Sequence, residues 1–503
     1  MSTESEESNH AFTGVGGLDE VLGGGLTPNR LYLLEGMPGS GKTTLALQFL
    51  LEGVRCGERV LYLTLSETEE EIRAVAASHG WSLEGLHLRE LMATDGTLEP
   101  ESQYTVFHPS EVELGDTTRR ILDDVARLGP TRVVLDSLSE LRLLAGDTLR
   151  YRRQILAMKN YFAGRQCTLL LLDDLTGDAH DLHTQSIAHG VILLEQTTPH
   201  YGAQRRRLSV QKFRGRAFRG GFHDYVIRRG GLEIFPRLVA SEHRSEHSFG
   251  QIASGIAELD ALLGGGLERG SSTLVTGAAG TAKSTLAALF ARAVAERGEN
   301  AALFLFDESI QMLTARMRSL GMSLDRYVDE GRILLRQVDP AELSPGEFAH
   351  LVREAATTQQ CSVLVVDSLN GYLHAMPQEE FLIMQLHELL TYLGQKGVAT
   401  LLINSQAGLI GPMKSVVDAS YLADSVVLTR YFEHDGEVRM AISVLKKRGS
   451  DFERTIREMS LAGGRLRVGK PLRGFQGVLT GVPTRVGTAS GDAFPLDTGA
   501  STA

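Results

Sequence analysis

The sequence GMPGSGKT, residues 36–43, decides the fold of this chain. It follows an apolar run at residues 31–34, typical of a short buried strand, and precedes another at residues 45–50, typical of a helix. In that order, the pattern GxxxxGK followed by Ser or Thr is typical of a phosphate-binding loop. Backbone N–H groups of such a loop converge on phosphate oxygens, and the helix N-terminus adds a favourable dipole. The segment therefore predicts a nucleoside-triphosphate site, with a purely structural glycine-rich turn as the alternative.

Individual positions of this loop have separate roles. The Lys42 ammonium group can reach the β- and γ-phosphates, and the Thr43 hydroxyl can ligate Mg²⁺. The predicted nucleotide-binding residues of the first loop are Gly36, Gly39, Ser40, Gly41, Lys42, Thr43 and Thr44.

Size and composition are those of a globular protein with several domains. A chain of 503 residues exceeds what one core organises, and its net charge of −11 argues against broad nonspecific binding to DNA or anionic membranes. Three scattered cysteines form no disulfide framework, as expected in a reducing cytosol. Residues 1–10 lack an apolar signal core and no run is long enough to span a membrane, so we expect a cytoplasmic protein.

The chain contains the same motifs twice. GAAGTAKS, residues 277–284, repeats the first loop at an offset of 283 − 42 = 241 residues. LGGGL at residues 22–26 recurs at residues 263–267, with the same offset. Glu67 recurs as Glu308, again with this offset (308 − 67 = 241). The DSL motif that begins at Asp136 recurs at Asp367, with an offset of 367 − 136 = 231 residues. A Lys-Xaa-Arg-Gly motif recurs with an offset of 448 − 214 = 234 residues. Five anchors in the same order predict two homologous domains in tandem.

Each copy predicts an α/β fold. Apolar strands that alternate with helices indicate a mostly parallel sheet covered by helices on both faces, and the later part of each copy is hairpin-like. The predicted divisions are a disordered N-terminus (1–10), a first domain (11–240), a linker (241–248), a second domain (249–485) and a disordered tail (486–503).

The second loop predicts a second nucleotide site. Ala282 replaces the glycine before the lysine, and its methyl group is expected to crowd a backbone that must approach phosphate closely. We therefore expect the second site to bind or turn over nucleotide less well than the first. The predicted nucleotide-binding residues of this loop are Gly277, Gly280, Thr281, Ala282, Lys283, Ser284 and Thr285.

Two aspartates are predicted to hold a metal ion. Asp136 and Asp367 each end an apolar strand, where a carboxylate can hold Mg²⁺ together with the loop hydroxyl of Thr43 or Ser284. Capping of the following helix is the alternative role for these aspartates.

Other strand-end acids are predicted to act on the attacking water. Glu67 in the first copy, and Asp307 and Glu308 in the second, follow the strand after the loop helix, where an acid can position and polarise water. A solvated acidic turn is the alternative. Asp173 and Asp174 end a later strand, where polar groups can sense the γ-phosphate. A plain exit from strand to loop is the alternative for these two residues.

The Lys-Xaa-Arg-Gly motifs contribute Lys212, Arg214, Lys446 and Arg448. Cations stabilise the charge that develops on a γ-phosphate, and a neighbouring subunit often supplies them. A solvated face, a subunit interface and nucleic-acid phosphates are the alternatives. Because the motif repeats without the arginines that surround its first copy, we favour the nucleotide role over DNA.

Together these motifs resemble the KaiC family of RecA/RadA-type ATPases over residues 11–485, ending in the GVPTR of residues 481–485. The resemblance implies tandem RecA-like domains that bind ATP and Mg²⁺ in a hexamer, with the motif cations reaching the γ-phosphate of the adjacent subunit. It also implies regulatory partners such as histidine kinases or Kai-type proteins.

The resemblance further implies autophosphorylation by the second domain. Ser420 matches one acceptor of the family, but Tyr421 occupies the position of the neighbouring Thr. Modification at Ser420 alone is therefore expected, with Asp307 or Glu308 as the base, and a structural hydroxyl is the alternative.

Two other functions fit the same loops. A RecA/RadA-like DNA-handling ATPase would need basic DNA-contacting loops or a separate DNA-binding module, and the acidic balance argues against it. A non-enzymatic switch would change shape with bound nucleotide and dock partners without turnover.

Overall fold

The computed structural model describes residues 10–91, 109–175, 182–243, 250–339, 341–374, 381–406, 419–462, 465–480 and 484–485. The chain divides into two compact units, Met1–Arg237 and Leu238–Ala503. Most of the predicted terminal and linker segments, residues 1–9, 244–248 and 486–503, lie outside the described residues. The start of the predicted linker belongs to the second unit, because Ala240–His243 form a 3-10 helix in which the Ala240 N–H donates to Glu388 Oε2 at 3.0 Å.

The first unit alternates strands and helices before it ends in antiparallel strands. Its elements are α1 (Leu18–Val21), β1 (Leu31–Gly36), α2 (Lys42–Arg55), β2 (Val60–Thr64), α3 (Glu69–His79), β3 (Leu86–Glu90), α4 (Pro109–Leu128), β4 (Arg132–Asp136), α5 (Leu138–Ala145), α6 (Thr148–Ala163), β5 (Thr168–Asp174), α7 (Leu182–Ile187), β6 (Gly190–Thr197), β7 (Arg205–Phe213), β8 (Phe222–Arg228) and β9 (Gly231–Phe235). They form one sheet of order β3-β2-β4-β5-β1-β6-β7-β8-β9, parallel from β3 to β6 and antiparallel from β6 to β9.

The second unit repeats this plan. Its elements are β10 (Gln251–Ile252), α8 (Ala257–Leu262), β11 (Leu267–Glu268), β12 (Ser272–Gly277), α9 (Lys283–Glu296), β13 (Asn300–Leu305), α10 (Ile310–Ser319), α11 (Asp325–Asp329), β14 (Ile333–Gln337), α12 (Pro345–Thr357), β15 (Cys361–Asp367), α13 (Leu369–His374), α14 (Leu382–Gln395), β16 (Ala399–Ser405), β17 (Ser425–His434), β18 (Glu437–Lys447), β19 (Arg457–Ala462), β20 (Arg465–Pro471), β21 (Phe475–Gln476) and β22 (Thr484–Arg485). The main sheet has the order β14-β13-β15-β16-β12-β17-β18-β19-β20, which corresponds strand for strand to the first sheet.

Apolar residues on both faces of each sheet explain the layered fold. Along β1, Tyr32 and Leu34 belong to one apolar cluster, whereas Leu31 and Leu33 belong to the cluster on the other face. Successive side chains of a strand point to opposite faces, so the uninterrupted apolar run buries both. The predicted fold class, two α/β units with mostly parallel sheets flanked by helices, is confirmed.

The described helices include none that combines the length and the apolar character needed to cross a bilayer. The helix that follows the first loop, α2, is only 14 residues long and packs its apolar side chains into the core.

Candidate nucleotide sites

The first phosphate loop connects β1 to α2 at the carboxyl edge of the parallel strands. Gly39 and Gly41 have φ values of 81° and 97°, in the left-handed region that glycine adopts without strain. A Cβ atom built on Gly41 would lie 2.6 Å from Ile227 Cδ1, so the loop also packs too closely there for a side chain. The two glycines therefore allow a loop conformation that residues with a Cβ adopt only at a cost.

The first loop borders a cavity of about 440 Å³ that gathers most of the predicted residues of this site. The cavity is lined by Pro38, Gly39, Gly41, Lys42, Thr43, Thr44, Ser66, Glu67, Val75, Asp136, Asp174 and Ile227. Three strand ends and one loop therefore bring one ammonium group, three hydroxyl groups and three carboxyl groups together.

Lys42 is held at the mouth of this loop by oxygen atoms. Its Nζ donates to Gly36 O at 2.7 Å and forms an ion pair with Asp174 Oδ1 at 2.6 Å. Asp174 pairs with Gly36 in the first sheet, and Ser405 pairs with Gly277 at the equivalent place in the second sheet. The second unit therefore has a hydroxyl group where the first has the carboxylate of Asp174.

Lys283, the lysine of the second loop, lies in a less polar environment. Its Nζ donates to Ala278 O at 2.6 Å, and burial lowers the pKa of Lys283 to about 8 although Asp367 opposes the shift. A bound phosphate would add negative charge beside this ammonium group and stabilise its protonated form.

The predicted metal-binding residues lie together in the first unit. Thr43 Oγ1 donates to Asp136 Oδ2 at 3.4 Å, and the Tyr62 hydroxyl donates to the same oxygen at 2.6 Å. Burial raises the pKa of Asp136, and the charge of Asp174 raises it further. A nearby divalent cation would stabilise the ionised form, and hydroxyl and carboxylate oxygens are ligands that Mg²⁺ uses beside nucleotide phosphates.

The second unit has the same pairing of a hydroxyl with a buried carboxyl group. A hydrogen bond from Ser284 lowers the pKa of Asp367, but burial outweighs it and the pKa is raised overall. Over the described ranges, no group of three or more His, Cys, Asp or Glu side chains could hold a metal ion. The residues present therefore fit a cation that takes its remaining ligands from phosphate and water.

The acids predicted to act on water have different surroundings in the two units. Glu67 lines the first cavity, and burial raises its pKa, with the charges of Asp136, Glu71 and Asp174 as further causes. In the second unit both oxygens of Glu308 accept hydrogen bonds from Arg316, at 2.5 and 2.8 Å.

Asp307, the other predicted acid of the second unit, accepts a hydrogen bond from the Ser368 hydroxyl. Sequence reasoning missed both Tyr62 and Arg316. The repeat offset aligns Arg316 with Val75 (316 − 75 = 241), but only the structure shows that Val75 lines the first cavity.

Lys212 and Arg214, the cations of the first Lys-Xaa-Arg-Gly motif, are not among the residues that line the first cavity. Lys212 pairs with Val191 near the start of β6, whereas Gly36 pairs with Leu194 nearer its end. Three strand residues span roughly 10 Å, so Lys212 lies toward the amino edge of the parallel strands. There Lys212 Nζ donates to Gln185 O at 2.6 Å.

The other three cations occupy similar positions. Arg214 donates to Ser186 O at 2.8 Å, and Lys446 Nζ donates to Ala423 O at 2.7 Å. Arg448 lies 3.4 Å from Asp424 Oδ1. In the second unit the loop residue Gly277 pairs with Thr429, whereas Lys446 pairs with Val426, which reproduces the arrangement of the first unit.

Comparison with known proteins accounts for this duplicated arrangement. The family model described as "ATPase: KaiC" matches the chain twice, over residues 11–239 and 252–472. The chain belongs to the KaiC ATPase family. It is therefore a nucleotide-binding protein with two KaiC domains in tandem, as the resemblance predicted.

Curated relatives match nearly the whole chain. The circadian clock protein KaiC3 of Synechocystis sp. is 28% identical over 494 residues, which cover 96% of each chain. The circadian clock oscillator protein KaiC of Parathermosynechococcus lividus is 27% identical over 483 residues, covering 94% of this chain and 88% of the relative. The KaiC protein of Picosynechococcus sp. is also 27% identical, over 97% of this chain and 96% of its own.

Ser420, the predicted acceptor, lies in the second KaiC domain beside one of the motif cations. Its backbone oxygen accepts a hydrogen bond from Lys446 Nζ at 3.0 Å, and Ser420 lines a cavity of about 260 Å³ with Asn404 and Arg430. Tyr421 is 58% exposed. Residues 407–418, which precede this segment, lie outside the described residues.

Ala282, the unusual residue of the second loop, adopts φ 63° and ψ 21° as the N-cap of α9. Its side chain packs against the apolar cluster of the domain, so we infer that the cost of this alanine is backbone strain rather than the predicted crowding of phosphate. The left-handed conformation costs a residue with a Cβ roughly 1 kcal/mol.

We expect Ala282→Gly to raise the free energy of unfolding of the second domain by about 1 kcal/mol, because glycine adopts this φ without strain. The affinity of the second site for ATP should change less than twofold, since the strain is present with and without nucleotide. Hydrogen exchange of the α9 amides measures the stability, and titration of the Lys42→Ala variant measures the affinity.

Gly41→Ala is the matched control in the first domain. It should destabilise that domain, since the added Cβ would meet Ile227 at 2.6 Å at a φ of 97°. A large gain in affinity without a gain in stability for Ala282→Gly would restore the crowding explanation.

Proposed function

We propose that this KaiC-family protein hydrolyses ATP at its first nucleotide site. The observation that carries the proposal is the single cavity lined by Lys42, Thr43, Glu67 and Asp136. These side chains are the ones that phosphoryl transfer to water requires: a cation for the phosphates, two metal ligands and a carboxylate for the nucleophile.

Each side chain has a definite task in this proposal. Lys42 binds the β- and γ-phosphates, and Thr43 and Asp136 hold Mg²⁺, which neutralises phosphate charge when bound. Glu67 accepts a proton from water as the water oxygen bonds to the γ-phosphorus. The bond from that phosphorus to the β–γ bridging oxygen breaks, and ADP and inorganic phosphate leave. The raised pKa of Glu67 brings this carboxylate closer to the pKa that suits a base at neutral pH.

Replacement of Glu67 tests the hydrolysis proposal. Glu67→Gln, in a Lys283→Ala background that disables the second site, should lower phosphate release by roughly 100-fold or more while ATP still binds. With Glu67 intact, turnover should fall as the pH decreases through its raised pKa, because the protonated carboxyl group cannot accept the proton from water. Unchanged turnover in Glu67→Gln would contradict the role of this residue, and a wild-type protein without ATP turnover would contradict the proposed function.

We further propose that the protein is a homo-oligomer, with a hexamer as the expected form. Lys212 and Arg214 lie at the amino edge of their own sheet, whereas the loop lies at the carboxyl edge, which supports their delivery to the nucleotide of a neighbouring subunit. Lys446 and Arg448 would do the same for the second ring of sites. In such an arrangement each site is complete only when two copies of the chain meet.

Mixing two inactive variants tests this arrangement. Arg214→Ala and Lys42→Ala, both in a Lys283→Ala background, should each lose roughly 100-fold or more of the phosphate release. A mixture should recover activity, roughly a quarter of the full value if subunits mix at random, because a Lys42→Ala subunit can offer its intact Arg214. Arg206→Ala, on the strand β7 that precedes Arg214, is the control for lost positive charge. Failure to recover activity despite subunit exchange would contradict delivery in trans.

A second activity, autophosphorylation on Ser420, is favoured by the hydrogen bond between Lys446 and the Ser420 backbone. That contact brings the serine next to a cation proposed to approach a neighbour's γ-phosphate. Asp307 or Glu308 would accept the hydroxyl proton as the serine oxygen bonds to the γ-phosphorus and ADP leaves.

Labelled ATP distinguishes transfer to protein from transfer to water. Incubation with γ-labelled ATP should label the wild-type chain, and Ser420→Ala should lose the protein-bound label while free phosphate is still released. Tyr421→Phe is the control and should keep the label. Label that persists in Ser420→Ala would contradict this acceptor.

The DNA-handling alternative has less support. Several arginines of the basic stretch make contacts within the domain: Arg207 with Glu195 at 3.5 Å, Arg219 with Glu20 at 2.6 Å and Arg216 with Gly23 O at 2.6 Å.

We propose a cytoplasmic signalling ATPase whose partners are Kai-type regulators or histidine kinases. A switch that signals by nucleotide binding alone would give output without phosphate release.

A further inference from the structure

Among the described residues, the acid Glu308 of the second nucleotide site forms an ion pair that Glu67 of the first site does not form. The guanidinium group of Arg316 contacts Glu308 in a forked geometry, with NH1 at 2.5 Å from Oε1 and NH2 at 2.8 Å from Oε2. Planar two-point pairing of this kind fixes the orientation of a carboxylate as well as its charge. Both oxygens of the acid proposed to act on water therefore contact Arg316, which fixes the orientation of the carboxylate.

The repeat shows which residue the first site has instead. The helices α3 and α10 begin at equivalent N-caps, Thr68 and Ser309, since 309 − 68 = 241. Arg316 on α10 thus occupies the position of Val75 on α3 (316 − 75 = 241), which lines the first cavity. One wall position is an isopropyl group in the first site and a guanidinium group in the second.

The remaining surroundings agree with this difference. Within the part of the chain that the structure describes, Glu67 Oε2 is buried without a hydrogen-bond partner, so no guanidinium group binds Glu67 at both oxygens as Arg316 binds Glu308. In the second unit burial raises the pKa of Asp367, the predicted metal ligand, and the charge of Arg316 opposes that shift only slightly. Arg316 therefore lies within the electrostatic range of the second site.

We propose that Arg316 restrains Glu308, so that the second site hydrolyses ATP more slowly than the first. The inference rests on the proposed function, because it concerns the same hydrolytic step. The forked pair fixes the plane of the carboxylate, so Glu308 must reorient against Arg316 to turn an oxygen toward the attacking water. Glu308 then accepts the proton of that water, while the water oxygen bonds to the γ-phosphorus and the bond to the β–γ bridging oxygen breaks. Arg316 is thus a positioning residue that acts through Glu308. Slower hydrolysis would also keep ATP bound longer for transfer to Ser420.

The test replaces Arg316 by the residue of the first site. Arg316→Val, in the full chain with Lys42→Ala to disable the first site, should raise kcat for phosphate release about five-fold and change KM less than twofold. The double variant Arg316→Val with Glu308→Gln should lose the gain, because the effect passes through that carboxylate. Arg316→Lys, which keeps the charge but lacks the rigid planar fork, should have an intermediate kcat.

The reciprocal exchange is the matched control. Val75→Arg, with Lys283→Ala to isolate the first site, should lower kcat several-fold by placing a guanidinium group near Glu67. The result for Val75→Arg does not depend on how well Arg316→Val folds. Arg316→Gln, whose folding is checked by its circular dichroism spectrum, is a second variant that removes the ion pair from the second domain.

Three outcomes would overturn the inference. An unchanged kcat in folded Arg316→Val would show that the pair does not restrain hydrolysis, and a raised KM with unchanged kcat would assign Arg316 to nucleotide binding. A gain that persists in the Glu308→Gln double variant would exclude Glu308 as the restrained group. In each case wild-type turnover would still stand, whereas its absence would contradict the proposed function itself.

Discussion

The parallel pairing of β1 between β5 and β6 is the constraint on which the first site depends. Because Gly36 pairs with both Asp174 and Leu194, the phosphate loop must leave the sheet beside the carboxyl ends of its neighbours. The edge formed by parallel strand ends collects polar side chains that the apolar strand interiors exclude. Lys42, Asp136 and Glu67 meet in one cavity for this reason, although 94 residues separate the first two (136 − 42 = 94).

Duplication has preserved this constraint and changed the chemistry around it. The second sheet has the same strand order and the same pairing of Gly277 with two neighbours. Asp174 forms an ion pair with Lys42 in the first unit, whereas the equivalent residue of the second unit is the uncharged Ser405. The acid Glu308 of the second unit forms an ion pair with Arg316. Equivalent backbones therefore support sites with different electrostatics, which is the physical basis for expecting two rates from one chain.

The two edges of each sheet also separate two sets of charges. The loops, the strand-end acids and the proposed metal ligands lie at the carboxyl edge, and the Lys-Xaa-Arg-Gly cations lie toward the amino edge. Strands of this length keep the two edges well apart, so one copy of a domain cannot bring both sets to one phosphate by small rearrangements of side chains. This separation is why the proposed chemistry requires a second copy of the chain.

The sequence by itself determined the two loops, the tandem α/β fold and the identity of most residues around the first site. These features follow from local patterns: glycines at positions of positive φ, apolar runs that bury both faces of a strand, and acids where those runs end. Only the tertiary structure decided which charges meet. The pairing of Lys42 with Asp174, the hydrogen bond from Tyr62 to Asp136 and the ion pair of Arg316 with Glu308 depend on strand register and helix orientation. Those are properties of the packed core, since side chains far apart in sequence contact one another only after the sheet has set their distances.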